Sequence, residues 1–126
     1  MEKDSNRTDA GPAGNPEQVA KMVQDALDDA KAISIETIDV RGKTTITDFM
    51  VVASGNSTRH VKTLAESVVL NSKRAGVEVL GVEGESEAEW ILVDLADVLV
   101  HLMLPRTRDF YSLESLWKIE DKRATG

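Results

Sequence analysis

The stretch that most limits how this chain can fold is residues 86–105, SEAEWILVDLADVLVHLMLP. Two short apolar segments meet at Asp94, Leu95, Ala96 and Asp97, where aspartate favours a tight turn through side-chain bonds to the backbone. A strand sends successive side chains to opposite faces. Ile91, Val93 and Leu95 therefore point one way, and Trp90, Leu92 and Asp94 the other. Beyond the turn, residues 98–104 stay apolar apart from His101. Just upstream, Glu83, Glu85, Glu87 and Glu89 crowd one connection. An acidic rim beside a tryptophan and an apolar strand pair has the makings of a docking face for a basic protein. This stretch offers no nucleophile, metal cage or phosphate cradle.

Length and charge narrow the function classes. A chain of 126 residues supports one domain with a single core. A formal net charge of -7 argues against affinity won by neutralising phosphates, since Lys and Arg supply that term. The same charge favours a basic partner and speeds encounter at low salt. The sequence contains no cysteine, so disulfides, thiolate zinc sites and a cysteine nucleophile are excluded. No apolar run approaches the roughly 20 residues of a membrane span. No basic start followed by an apolar segment marks a secretory signal, so the expected compartment is the cytoplasm.

Residues 1–15 are polar and rich in small side chains, and the expectation is a disordered extension. Residues 118–126 read as a second loose tail, leaving 16–117 as the single domain. A first helix is expected over 16–32, with Asn15 as cap and Pro16 in the first turn. Val19, Met22, Val23, Ala26, Leu27 and Ala30 supply its apolar stripe. Residues 35–40 alternate as a strand, 41–43 form a turn, and the unbroken apolar run 49–53 suits a strand buried on both faces. A second helix follows residues 55–58 and buries Val61, Leu64, Ala65, Val68 and Ser72, with Gly76 as its left-handed cap. A short strand over 77–81, the hairpin over 90–104 and a final helix over 107–117 complete the order α-β-β-α-β-β-β-α. This order implies α/β architecture, a mixed five-stranded sheet with flanking helices.

Each feature that suggests chemistry has a plainer reading beside it. Gly55, Asn56 and Ser57 at a strand-to-helix junction present backbone N–H groups suited to an anion, but any such junction needs a cap of this kind. Asp94 and Asp97 form a carboxylate pair suited to magnesium, although aspartates at a hairpin turn serve the turn itself. His60 and His101 are the two histidines, and neither has a matched acidic neighbour in sequence, so a packed imidazole is the expectation for both. Trp90 suits either a core or an interface position. No catalytic, metal or cofactor residue is assigned.

Residues 47–61, TDFMVVASGNSTRHV, carry Thr-Asp, an apolar strand and then Gly-x-Ser-x-Arg-x-Val. A second block combines Val82-Glu83-Gly84-Glu85, Glu89-Trp90-Ile91-Leu92-Val93-Asp94 and Asp97-Val98-Leu99-Val100-His101. Phe110-Tyr111, Leu113-Glu114 and Leu116-Trp117 close the pattern. In order and without large gaps, these segments resemble the ribosomal silencing factors, also called the Iojap family, over residues 16–117. Ala96 departs from the pattern, which usually has glycine there. The resemblance implies a nucleotidyltransferase-like fold without catalytic activity, and a homodimer in some members. It implies binding to the large ribosomal subunit through the fourteenth protein of its intersubunit face. A protein seated there blocks subunit joining and represses translation when nutrients are scarce; organelle relatives are tied to large-subunit assembly.

The residues fit that mechanism. Trp90 and Leu92 are expected to bury apolar area against the partner, with Glu83, Glu85, Glu89 and Asp94 pairing with its Lys and Arg. The competing readings are a large-subunit assembly factor, a dimerisation module and a nucleotidyltransferase-like enzyme. The last needs a Gly-Ser turn followed by two carboxylates alternating on one strand. The helix after Gly55 carries only Glu66, and the next strand only Glu78.

Overall fold

The computed structural model describes residues 14–111, apart from the side chains of Phe110 and Tyr111. Helix α1 (Pro16–Asp29) starts at a capping box. The Asn15 side chain accepts from the Gln18 N–H at 2.8 Å, and the Gln18 side chain accepts from the Asn15 N–H at 3.2 Å. Two otherwise orphaned donors are thereby satisfied. The helix ends earlier than its apolar stripe suggests. Lys31 takes φ 68°, and the Ala32 N–H closes on the Leu27 carbonyl at 2.9 Å. This turn releases the chain directly into β1 (Ile33–Asp39), which begins two residues before the expected strand.

All six residues of β2 (Phe49–Ser54) are buried, as a strand covered on both faces requires. Helix α2 (Thr58–Arg74) is capped by Ser57, whose Oγ accepts from the His60 N–H at 3.1 Å. Gly76, at φ 77°, follows its end. The strand expected over 77–81 is displaced: β3 is Gly81–Glu83. The Val77 N–H instead bonds the Ser72 carbonyl at 2.8 Å and finishes the helix end. Ladder pairing to the next strand starts only at Gly81. The hairpin forms as expected, with β4 (Trp90–Asp94) and β5 (Val98–Met103). Pro105 ends β5 and also opens α3 (Pro105–Tyr111), two residues before the expected helix. The expected continuation over 112–117 and the tail at 118–126 lie outside the described residues. So does the expected N-terminal extension, except for Gly14 and the cap Asn15.

The sheet order is β1-β2-β5-β4-β3. The β2–β5 pair is parallel and the other three are antiparallel, so the sheet is mixed as the element order implied. Helices α1 and α2 cover one face. Val19, Val23 and Leu27 of α1 and Val61, Leu64 and Val68 of α2 enclose Phe49, Val51, Ile91, Val93, Val100 and Leu102. On the opposite face Met50, Val52 and Met103 are buried, with Ile38 and Trp90 packed against them.

Two turn positions hold the β3–β4–β5 edge in shape. Gly84 has φ 91°, and a Cβ there would lie 2.2 Å from the Trp90 carbonyl oxygen. Ala96, in the β4–β5 turn, has φ 70°, a left-handed conformation that costs a residue with a Cβ. Urea denaturation should show Gly84→Ala losing about 2 kcal/mol or more, because the methyl drives into backbone. Ala96→Gly should gain about 0.5–1 kcal/mol, as relief of the turn outweighs the added freedom of the unfolded chain. A lower midpoint for Ala96→Gly would contradict the strain assigned to that turn.

Candidate functional site

Alternation along β4 and β5 decides which side chains share the face opposite α1 and α2. Trp90, Leu92 and Asp94 of β4 stand there, while Ile91 and Val93 enter the core beneath the helices. Glu83 of β3 pairs with Leu92, and Leu92 pairs with His101. Asp94 pairs with Leu99, and Leu99 with Met50. The face is therefore graded across the strands. Met50, Val52 and Met103 are buried, Trp90, Leu92, Leu99 and His101 are partly exposed, and Glu83 at the edge is open to solvent.

Trp90 is packed on one side and partly exposed on the other. Its indole packs against Met50, Val52 and Met103. Its Nε1–H donates to His101 Nδ1 at 3.1 Å, and the two rings lie 6.0 Å apart at 53°. An accepting Nδ1 carries no proton, so the neutral ring holds its hydrogen on Nε2. Burial pushes the His101 pKa down to about 4. The imidazole thus stays neutral and remains an acceptor at physiological pH.

The acidic residues divide between two sides. Asp94 shares the Trp90 face, and its Oδ1 accepts from the Ala96 N–H at 2.8 Å, the turn role expected of it. Glu89 borders a depression of about 240 Å3 formed with Gly84, Ser86, Glu87, Trp90 and Thr107. Its carboxylate lies 3.8 Å from Arg106, with both side chains largely exposed, so the pair holds little energy. Glu85 points elsewhere. It lines a separate hollow with Lys62, Ala65, Glu66, Ser86 and Ile91, beside α2.

The glycine junction is built for packing. A Cβ on Gly55 would lie 2.9 Å from the Val61 backbone nitrogen and 3.1 Å from its Cγ2, so glycine lets the strand end approach the helix. The Gly55 N–H donates to the Met103 carbonyl, and the Asn56 N–H donates to His60 Nδ1 at 2.9 Å. His60 Nε2 reaches the Ala30 carbonyl at 3.0 Å. The second histidine therefore clasps the junction to the end of α1. With these donors engaged inside the protein, capping and packing account for the junction without an anion. At the hairpin, the Asp97 carbonyl accepts from the Asp48 and Phe49 N–H groups, both at 3.0 Å, which fastens the turn to the start of β2.

The family model described as ribosomal silencing factor during starvation matches residues 13–125. The chain belongs to the ribosomal silencing factor family. A ribosomal silencing factor of Chromobacterium violaceum is 45% identical over 101 residues, which is 80% of this chain and 83% of that protein. A crystal structure of a protein from the same organism superposes with a TM-score of 0.81 at 43% identity, covering 82% of this chain and 87% of that one. A mouse protein named for mitochondrial assembly of the ribosomal large subunit is 34% identical over 101 residues, 78% of this chain and 44% of that protein. These relatives bear regulatory or assembly names, and none of those names denotes a catalytic activity.

The residue that reading by segments missed in this silencing factor is His101 as partner of Trp90. A usable signal existed: a tight turn anywhere near residues 94–97 puts Trp90 and His101 on one face, and the observed closure at Leu95 and Val98 sets Leu92 opposite His101 and makes Trp90 its diagonal neighbour. The depressed pKa gives a signed prediction. Between about 4 and 6.5 the unfolded chain holds a proton that the folded chain does not. Stability should therefore be level above pH 6.5 and fall as pH drops toward 4. By pH 4.5 the loss traceable to His101 should be on the order of 2 kcal/mol. Urea denaturation of the wild type and His101→Asn isolates this part, because the other titrations are common to both. Parallel stability–pH curves would contradict it.

Proposed function

We propose that this chain silences ribosomes by exclusion in the cytoplasm. It binds the large subunit through a protein of the intersubunit face, the fourteenth in the standard naming, and keeps the small subunit from joining. Translation is thereby lowered under nutrient limitation. The observation that supports this best is the array on one sheet face: Trp90 and Leu92, partly exposed over a buried apolar floor, with Glu83 and Asp94 along the edge. Such a face suits a partner that presents an apolar contact ringed by Lys and Arg. Glu89, next to Trp90, extends the rim. Glu85, beside α2, contributes to the general negative field rather than to the contact.

Exclusion needs affinity and placement, not turnover. Rim charges act mainly on the encounter rate, while a well-packed aromatic governs residence time. The nucleotidyltransferase-like reading has less support, because the glycine junction is explained by the close approach of Val61 and the internal bonds of Asn56 and His60. A role in assembly of the large subunit is favoured by the name of the mouse relative. Both roles use the same particle, and sucrose gradients of depleted cells separate them: precursor large subunits accumulate only for the assembly role.

Two measurements test the contact itself. Trp90→Ala should weaken co-sedimentation with purified large subunits by about 10-fold or more, as loss of a central aromatic does. Raising salt from about 50 to about 300 mM should slow wild-type association several-fold through screening of the acidic rim. Unchanged retention of Trp90→Ala removes the indole from the interface, and a salt-independent rate removes the steering role.

A further inference from the structure

We infer that His101 is a positioning residue for docking: its Nδ1 fixes the indole of Trp90 in the orientation that the partner meets. The inference rests on the docking reading above and adds a residue to it. Among strand neighbours that are all apolar, His101 interrupts β5 with a polar ring that is mostly withdrawn from water. A buried polar group needs a partner to offset its lost hydration, and here the Trp90 N–H supplies one.

The geometry shows what that bond adds to packing. Met50, Val52 and Met103 pack against the indole, and apolar packing of this kind is less directional than a hydrogen bond. The acceptor at 3.1 Å on the neighbouring strand selects one orientation of the indole, because only one edge of the ring carries an N–H. The acceptor is anchored in turn by backbone pairing, since His101 sits opposite Leu92 on β4 and beside Val52 on β2. An aromatic held in one orientation before contact loses less freedom on binding, which favours affinity without any new contact.

The test uses the full chain and purified large subunits. Dissociation rates are measured for the wild type and for His101→Phe, His101→Asn, Trp90→Phe, Trp90→Ala and the double variant Trp90→Phe/His101→Phe. His101→Phe keeps a ring but removes the acceptor, and should raise the dissociation rate about 5- to 10-fold, the worth of one net hydrogen bond. His101→Asn places an amide oxygen near the position of Nδ1 and should restore the rate to within about 3-fold of wild type. Trp90→Phe removes the N–H, so adding His101→Phe to it should cost nothing further. The indole N–H resonance of Trp90, assigned by its loss in Trp90→Phe, should move in His101→Phe and return in His101→Asn.

Each departure has a distinct meaning. If Trp90→Ala releases the subunit but His101→Phe dissociates like the wild type, positioning by His101 is wrong while docking through Trp90 stands. If the two substitutions add in full, or Asn fails to restore the rate, His101 acts through general packing and the inference is overturned. If Trp90→Ala is retained like the wild type, the docking reading falls and this inference falls with it. An indole resonance that ignores His101→Phe overturns the hydrogen bond whatever the binding data show.

Discussion

Everything in this sheet depends on how β5 is held. It pairs in parallel with β2 on one side and antiparallel with β4 on the other, and the Asp97 carbonyl ties its turn to the start of β2. A strand fixed from both sides has no freedom of register. A slip of one residue would exchange its faces, carrying Val98, Val100 and Leu102 out of the core and Leu99 and His101 into it. Because β4 is joined to β5 by a tight turn, the same slip would also move Trp90 and Leu92. The core and the candidate contact face are thus set by a single register.

The two faces have different chemistry for that reason. Beneath α1 and α2 the sheet presents mainly apolar side chains, with Thr37 at the β1 edge bonded to Gln24 of α1. The opposite face changes from sealed Met50 and Val52 at β2 and Met103 at β5 to a half-open indole and leucine at β4, then to an exposed carboxylate at β3. A surface graded in this way has an apolar contact next to charges that remain hydrated. That combination suits the specific but reversible seat on a basic protein that the proposed function requires.

Much of this was legible in the sequence because it is local. Alternation across 90–95 placed Trp90, Leu92 and Asp94 together, and the unbroken run at 49–53 marked β2 as covered on both sides. Asn15, Ser57 and Gly76 marked helix ends through their own backbone and side-chain chemistry. The misplacement of β3 had a tertiary cause. Val77 and Val79 alternate like a strand, but the Val77 N–H goes to the helix end and the ladder waits for Gly81. The early end of α1 followed from the left-handed Lys31, which no local preference announces. Two contacts were invisible without the fold, because both join distant segments: His60 with the Ala30 carbonyl, and Arg108 with the Ser34 carbonyl at 2.6 Å. The division of the glutamates was likewise hidden, since a run with four acidic residues gives no sign that Glu85 turns toward α2 while Glu89 stays beside Trp90.

The most direct test of exclusion as the mechanism is light scattering of purified small and large subunits mixed in magnesium, with and without the full chain. The account predicts that saturating protein suppresses the scattering rise of subunit joining, and that preformed pairs resist it because the face is already occupied. If joining proceeds at the same rate and to the same extent while the protein remains bound to the large subunit, it does not act by obstruction.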